Sequence, residues 1–148
     1  METVLTEIKS EHDEARTLMQ KIDNSERITW KDVEELYVML KGHHAAEEEI
    51  VFPNVKKVDK SAEELVEHLL KEHGESESGL LTMIRVKKFD QLRFREIKGM
   101  LDHHMKQEET VIFQKARKAM TEAELKSALE PFEKVEEKGK KEAESKVK

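Results

Sequence analysis

Two stretches of the sequence share the pattern that decides the fold: HHAAEEEIVFP at residues 43–53 and HMKQEETVIF at residues 104–113. Each begins with a histidine, places a glutamate four residues later and continues through two aliphatic residues to a phenylalanine. Residues four apart lie on the same face of an α-helix. The pattern therefore predicts two helices that each present a His and a Glu from one otherwise apolar face.

These stretches belong to an internal repeat with an offset of 61 residues. The matched pairs are His12 with His73, His43 with His104, Glu47 with Glu108, Glu48 with Glu109 and Phe52 with Phe113. An offset of 60 pairs His44 with His104 instead, but it leaves His12 facing Glu72 and separates the two phenylalanines. The offset of 61 explains more of the chain and predicts two similar helix hairpins around a pseudo-two-fold axis.

The rest of the chain also reads as helix. Charged residues make up 41% of the 148 positions, and only 5 Gly and 2 Pro interrupt them, which is typical of long amphipathic helices. Apolar spacing and cap residues predict helices over 3–23, 30–55, 61–87 and 90–119, with Ser61 and Asp90 opening the last two and Pro53 disturbing the end of the second. Short connections favour an all-α, up-down-up-down four-helix bundle over residues 1–120.

A separate segment, residues 121–148, follows the bundle. Thr121 is placed to open a short extra C-terminal helix. Beyond Val135 the chain is almost entirely Lys and Glu, and this tail is expected to fray because it offers little apolar surface to bury.

Helical periodicity distinguishes neighbouring histidines. The residues that share a face with His104 are apolar except for Glu108, whereas those around His103 are polar or glycine, so His104 points inward and His103 outward. His43 also lies on a core face. His44 is less clear and is placed either at the rim of the site or against one of its ligands.

Two glutamates on apolar helix faces need an explanation, because a buried unpaired carboxylate is strongly destabilising. A cation removes that cost, and imidazole with carboxylate suits iron, manganese or zinc. The chain has no cysteine, which excludes thiolate ligands and disulfides. Two His per ion with two bridging Glu predict a metal pair, and the alternative is a buried polar network in a structural bundle. The predicted ligands are His12, His43, Glu47, His73, His104 and Glu108.

These residues resemble the hemerythrin-like, or HHE cation-binding, family over about residues 3–119. The matching segments are EHDE at 11–14, HHAAEEEIVFP at 43–53, KEH at 71–73 and HMKQEETVIF at 104–113. The resemblance implies a hemerythrin-like bundle around two iron ions with an oxo or hydroxo bridge, held by the six predicted ligands, with zinc or manganese as alternatives. It implies a protein that binds or senses dioxygen, iron or another small oxidant, the alternative being a di-iron oxidase, a peroxidase or a nitric-oxide-reactive enzyme.

The sequence departs from the oxygen-carrying hemerythrins, which resemble it in ligand order but carry a second His on the third helix. Glu77 stands at that position, and its repeat mate is Arg16. Glu77 is either a further ligand, or it faces solvent or pairs with Arg16 and leaves a coordination position open. The last carboxylate also follows its His by four residues, not five. These departures favour sensing over reversible oxygen carriage, and the His-rich set favours binding over catalysis.

Other functional classes are disfavoured by composition. The net charge is −6 with both signs mixed along the chain, so no basic stripe for nucleic acid is present. No apolar run is long enough for a membrane span, and the first residues lack the pattern of a secretory signal. We therefore expect a cytoplasmic protein. The resemblance implies a small oxidant as its partner, and the sequence specifies no protein partner.

Overall fold

The computed structural model describes residues 2–148, and within them the chain is helical with no strand. The helices are α1 Val4–Asn24, α2 at 30–55, α3 Lys60–Val86, α4 at 91–119, α5 Glu122–Ser127 and α6 Leu129–Val147. Helices α2 and α4 each contain one π-helical turn, at Glu47–Val51 and Glu108–Ile112. None of the described helices is long and apolar enough to cross a membrane.

Cap residues fix where the bundle helices begin. The carboxylate of Asp90 accepts from the backbone N–H of Arg93 and opens α4 as predicted. The predicted start of α3 at Ser61 is wrong, because the carboxylate of Asp59 accepts from the N–H of Ala62 and the helix begins at Lys60. The negative charge of Asp59 also interacts favourably with the positive, N-terminal end of the helix dipole, whereas the hydroxyl of Ser61 carries no charge.

Helices α1 to α4 form the predicted four-helix bundle. Connections at 25–29, 56–59 and 87–90 join them, and such short links place sequential helices side by side and antiparallel. Helix α1 packs against α2 and α4, and α3 packs against the same two helices on the other side. The all-α fold class expected from the sequence is therefore confirmed.

The apolar core is split into two layers. One layer includes Ile8, Phe52 and Leu69, and the other includes Leu36, Leu80 and Phe94, all of them buried. The histidines lie in sequence between the apolar residues of the two layers, so the polar site occupies the middle of the bundle. Apolar packing on both sides holds that site away from water.

The expected fraying beyond Val135 is wrong. Helix α6 continues to Val147 and packs along α2, with Phe132, Glu136, Gly139 and Ala143 buried. Their spacing of four, three and four residues forms one helix face. The face is easily overlooked in the sequence, because two of its four members are small and one is charged.

Two glycines allow this close packing. A Cβ atom added to Gly42 would lie 2.7 Å from the backbone oxygen of Glu136 and 2.6 Å from Cγ of Lys140. A Cβ on Gly139 would lie 3.0 Å from the Cα of Gly42. Both glycines are inside helices, so their function here is to bring the two backbones together, and α6 covers the side of α2 that carries His43.

Candidate metal centre

The six predicted ligands meet at the centre of the bundle. Each is between 0 and 4% exposed: His12, His43, Glu47, His73, His104 and Glu108. Helices α1 and α3 supply one His each, and α2 and α4 supply one His and one Glu each. The outward position of His103 is also as predicted, since its side chain is exposed.

The six side chains divide into two overlapping groups. In one group, ligand atoms of His12, His43, Glu47 and Glu108 all lie within 4.8 Å of one another. In the other, the same holds for His73 and His104 with Glu47 and Glu108. The two glutamates, which we call the shared carboxylates, belong to both groups. This is the arrangement that a pair of ions with two bridging carboxylates requires.

Each shared carboxylate opens a π-helical turn. Glu47 begins Glu47–Val51, and Glu108 begins Glu108–Ile112, so the turns follow the 61-residue repeat. A π turn adds one residue to a helical turn and commonly occurs at functional sites. In α2 it also places Pro53 in the first turn of the next α-helical segment, where a proline is tolerated. The helix therefore passes Pro53 and reaches Val55.

Four further glutamates surround the histidines. These outer carboxylates accept hydrogen bonds from Nδ1 of the histidines: Glu109 from His12 at 2.7 Å, Glu11 from His43 at 2.6 Å, Glu48 from His73 at 2.8 Å and Glu72 from His104 at 3.0 Å. Donation from Nδ1 turns Nε2 of each imidazole inward, and the neutral form of that imidazole can then bind a metal through Nε2. The sequence alone does not reveal these four glutamates as a set, although the 61-residue offset relates Glu11 to Glu72 and Glu48 to Glu109.

The inward atoms of the centre fit a cation. Within residues 2–148, the buried atoms without a hydrogen-bond partner include Nε2 of His12, Nε2 of His43, Oε1 of Glu47 and Oε1 of Glu108. His12 Nε2 and Glu108 Oε1 lie only 2.8 Å apart, yet their geometry makes no hydrogen bond. Buried polar atoms are rarely left unpaired, and a metal ion would satisfy all four.

The charges of the centre also conflict unless a cation is present. Burial and the charge of Glu108 raise the pKa of Glu47 to about 8. Burial opposes ionisation of Glu108 too, but His104 holds the pKa of Glu108 well below its ordinary value. Burial likewise opposes protonation of His104, yet Glu108 raises the pKa of His104 to about 10. A divalent ion favours two ionised carboxylates with neutral imidazoles, so binding would release protons.

His44 and Glu77 form a pair beside the centre. His44 is buried, and its Nδ1 lies 2.7 Å from Oε2 of Glu77. Glu77 also lies 3.3 Å from Nζ of Lys41. The expected alternative of a pair between Glu77 and Arg16 is wrong, because Arg16 lies 2.9 Å from Glu109 instead.

Helix α6 reaches the centre through Glu136. Glu136, Glu11 and His43 present atoms within 4.8 Å of one another. Burial and the neighbouring carboxylate of Glu11 raise the pKa of Glu136 to about 9. Because Glu11 accepts a hydrogen bond from His43, Glu136 places α6 beside a carboxylate that holds a predicted ligand.

Comparison with known proteins gives one match. The family model of the hemerythrin HHE cation binding domain matches residues 3–116. This range contains all six predicted ligands and all four outer carboxylates. No curated protein and no solved structure matches the chain.

Proposed function

Because the chain belongs to the hemerythrin HHE cation-binding domain family, we propose that it holds two iron ions and uses them to bind or sense dioxygen, iron or another small oxidant. The observation that carries the proposal is the pair of four-residue groups that share Glu47 and Glu108. One ion would be held by His12 and His43 and the other by His73 and His104, each together with both shared carboxylates.

The ligand set supports a redox-active pair. Imidazole and carboxylate suit iron, and the outer carboxylates would keep the rings oriented and more basic. Two His and two shared carboxylates leave coordination positions free at each ion. When bound, the iron pair would supply electrons and open positions to a small oxidant, and this chain would supply a centre enclosed between two apolar layers.

The space beside the ligands supports a small partner. A small cavity borders His12, His43 and His104 and is otherwise lined mainly by apolar side chains such as Leu40 and Met105. It offers about 10 Å³ to the centre of a water-sized molecule. That is close to what a single water molecule needs, so a diatomic molecule is a better fit than an organic substrate.

Metal analysis with spectroscopy tests the proposal. The protein as purified is expected to contain two irons per chain and to absorb in the near ultraviolet, with a change when the reduced protein meets oxygen. His73→Ala combined with His104→Ala should remove iron, because both rings belong to one four-residue group. The control is His103→Ala, which changes an exposed histidine.

Two experimental results would contradict the proposal or change the assigned function. Absence of iron, or an iron content that the His73 and His104 substitutions leave unchanged, would refute it. Turnover of peroxide or nitric oxide by the reduced protein, above free-iron controls, would assign the centre to an enzyme instead.

A further inference from the structure

A fifth histidine is built like the four predicted ligands. His44 is 3% exposed, and its Nδ1 donates to the carboxylate of Glu77 at 2.7 Å. Every predicted His ligand has the same two properties, burial and an Nδ1 donor bond to a glutamate. Such a bond fixes the tautomer that leaves Nε2 free to bind metal.

His44 also lies close enough to join one ion. One of its ring nitrogens lies within 4.8 Å of ligand nitrogens on His73 and His104. These two rings belong to the same four-residue group, so the three imidazoles converge on one side of the shared carboxylates. The alternative, a core histidine that packs only, does not require this convergence.

The internal repeat shows that packing at this position does not require a histidine. Under the 61-residue offset His44 corresponds to Met105, and Glu77 corresponds to Arg16. Met105 is buried in the other half of the bundle, so an apolar side chain fills the equivalent position. The chain therefore places a buried His with its own carboxylate in one half only, at a cost in desolvation that a packing role does not offset.

One movement is required for His44 to reach an ion. Its ring lies flat on that of His73, with centroids 3.6 Å apart and planes 9° apart. Two parallel stacked rings cannot both direct lone pairs at one ion, so the ring of His44 must tilt. The small cavity described above also borders His44.

We propose that His44 is the third histidine ligand of the ion held by His73 and His104, with Glu77 as its orienting carboxylate. The inference rests on the proposed metal pair, but not on the identity of the metal. It makes the two ions unequal, since the other ion has Met105 at the corresponding place.

Zinc is a suitable probe, because Zn²⁺ is diamagnetic and binds imidazole readily. In NMR spectra of the zinc-loaded full chain, we expect five metal-bound imidazole nitrogens. His44→Met, which copies the residue of the other half, should lose one of them and keep the other four. Met105→Leu is the matched control and should keep all five.

A second variant covers the case in which His44→Met does not fold. Glu77→Gln keeps the side-chain size and should weaken the binding of one zinc ion roughly 10–100-fold, the usual effect of losing an orienting carboxylate. Four bound nitrogens in the wild type, no zinc binding, or unchanged zinc affinity in Glu77→Gln would overturn the inference. A protein that takes up zinc with five bound nitrogens but contains no iron would refute the proposed function alone.

Discussion

Replacement of Gly42 by alanine should separate α6 from the bundle. The added Cβ would lie 2.7 Å from the backbone oxygen of Glu136. Rotation of a side chain cannot relieve this clash, because the oxygen belongs to the backbone. Helix α6 must therefore shift away from α2. Since α6 places Glu136 beside Glu11 and His43, we expect faster loss of metal to a chelator as well.

The expected magnitude follows from two opposing terms. Overpacking of this kind costs about 1–3 kcal/mol. Alanine in a helix interior stabilises the folded state by about 0.5–1 kcal/mol relative to glycine. The control is Gly99→Ala, because a Cβ there meets nothing within 4 Å and the substitution should only stabilise. The difference between the two variants isolates the overpacking cost.

Thermal unfolding of the metal-free chains measures that difference. Gly42→Ala should unfold roughly 2–12 °C below Gly99→Ala, given about 2–4 °C per kcal/mol for a domain of this size. Equal unfolding temperatures for the two variants would show that α2 and α6 do not approach as closely as described, and would refute the reasoning.

Three further outcomes are expected. Removal of metal by a chelator should lower the unfolding temperature, since a ligand at a hundred times its Kd adds about 2.7 kcal/mol per site, and no change would argue against an internal site. Glu72→Ala should weaken metal binding roughly 10–100-fold through His104, whereas exposed Glu75→Ala should not, and equal affinities in a titration would contradict this. Protonated Glu136, with its pKa raised from 4.5 to about 9, contributes stability that is complete below pH 4.5 and is lost as the pH rises. Glu136→Gln should thus be the more stable protein near pH 8 but not near pH 4.5, and the opposite order in thermal unfolding would exclude a protonated Glu136.

The shared carboxylates of the candidate metal centre could be predicted from the sequence, whereas the outer carboxylates could not. Glu47 and Glu108 stand out because each interrupts an apolar helix face, and the 61-residue repeat shows the same interruption twice. The outer carboxylates give no such signal, since Glu48 and Glu109 resemble the many solvated charges of a highly charged chain. Only the position of a ring nitrogen distinguishes them, and that position depends on how two helices pack.

Helix α6 illustrates a second limit of sequence reasoning. Its inward face depends on Gly139 and Ala143, which carry almost no hydrophobic signal, and on Glu136, which normally indicates an exposed position. These residues allow α6 to pack closely against Gly42 on α2. The fit depends on the shapes of both helix surfaces, so the sequence of either helix alone does not reveal it.

The position of α6 in the chain also sets an order of events during synthesis. The last shared carboxylate, Glu108, precedes the helix that covers His43. At about 5–20 residues per second, the ribosome needs roughly 2–8 s to synthesise residues 109–148 after it. All six predicted ligands are therefore synthesised before α6, and α6 is the last helix to cover that side of the bundle.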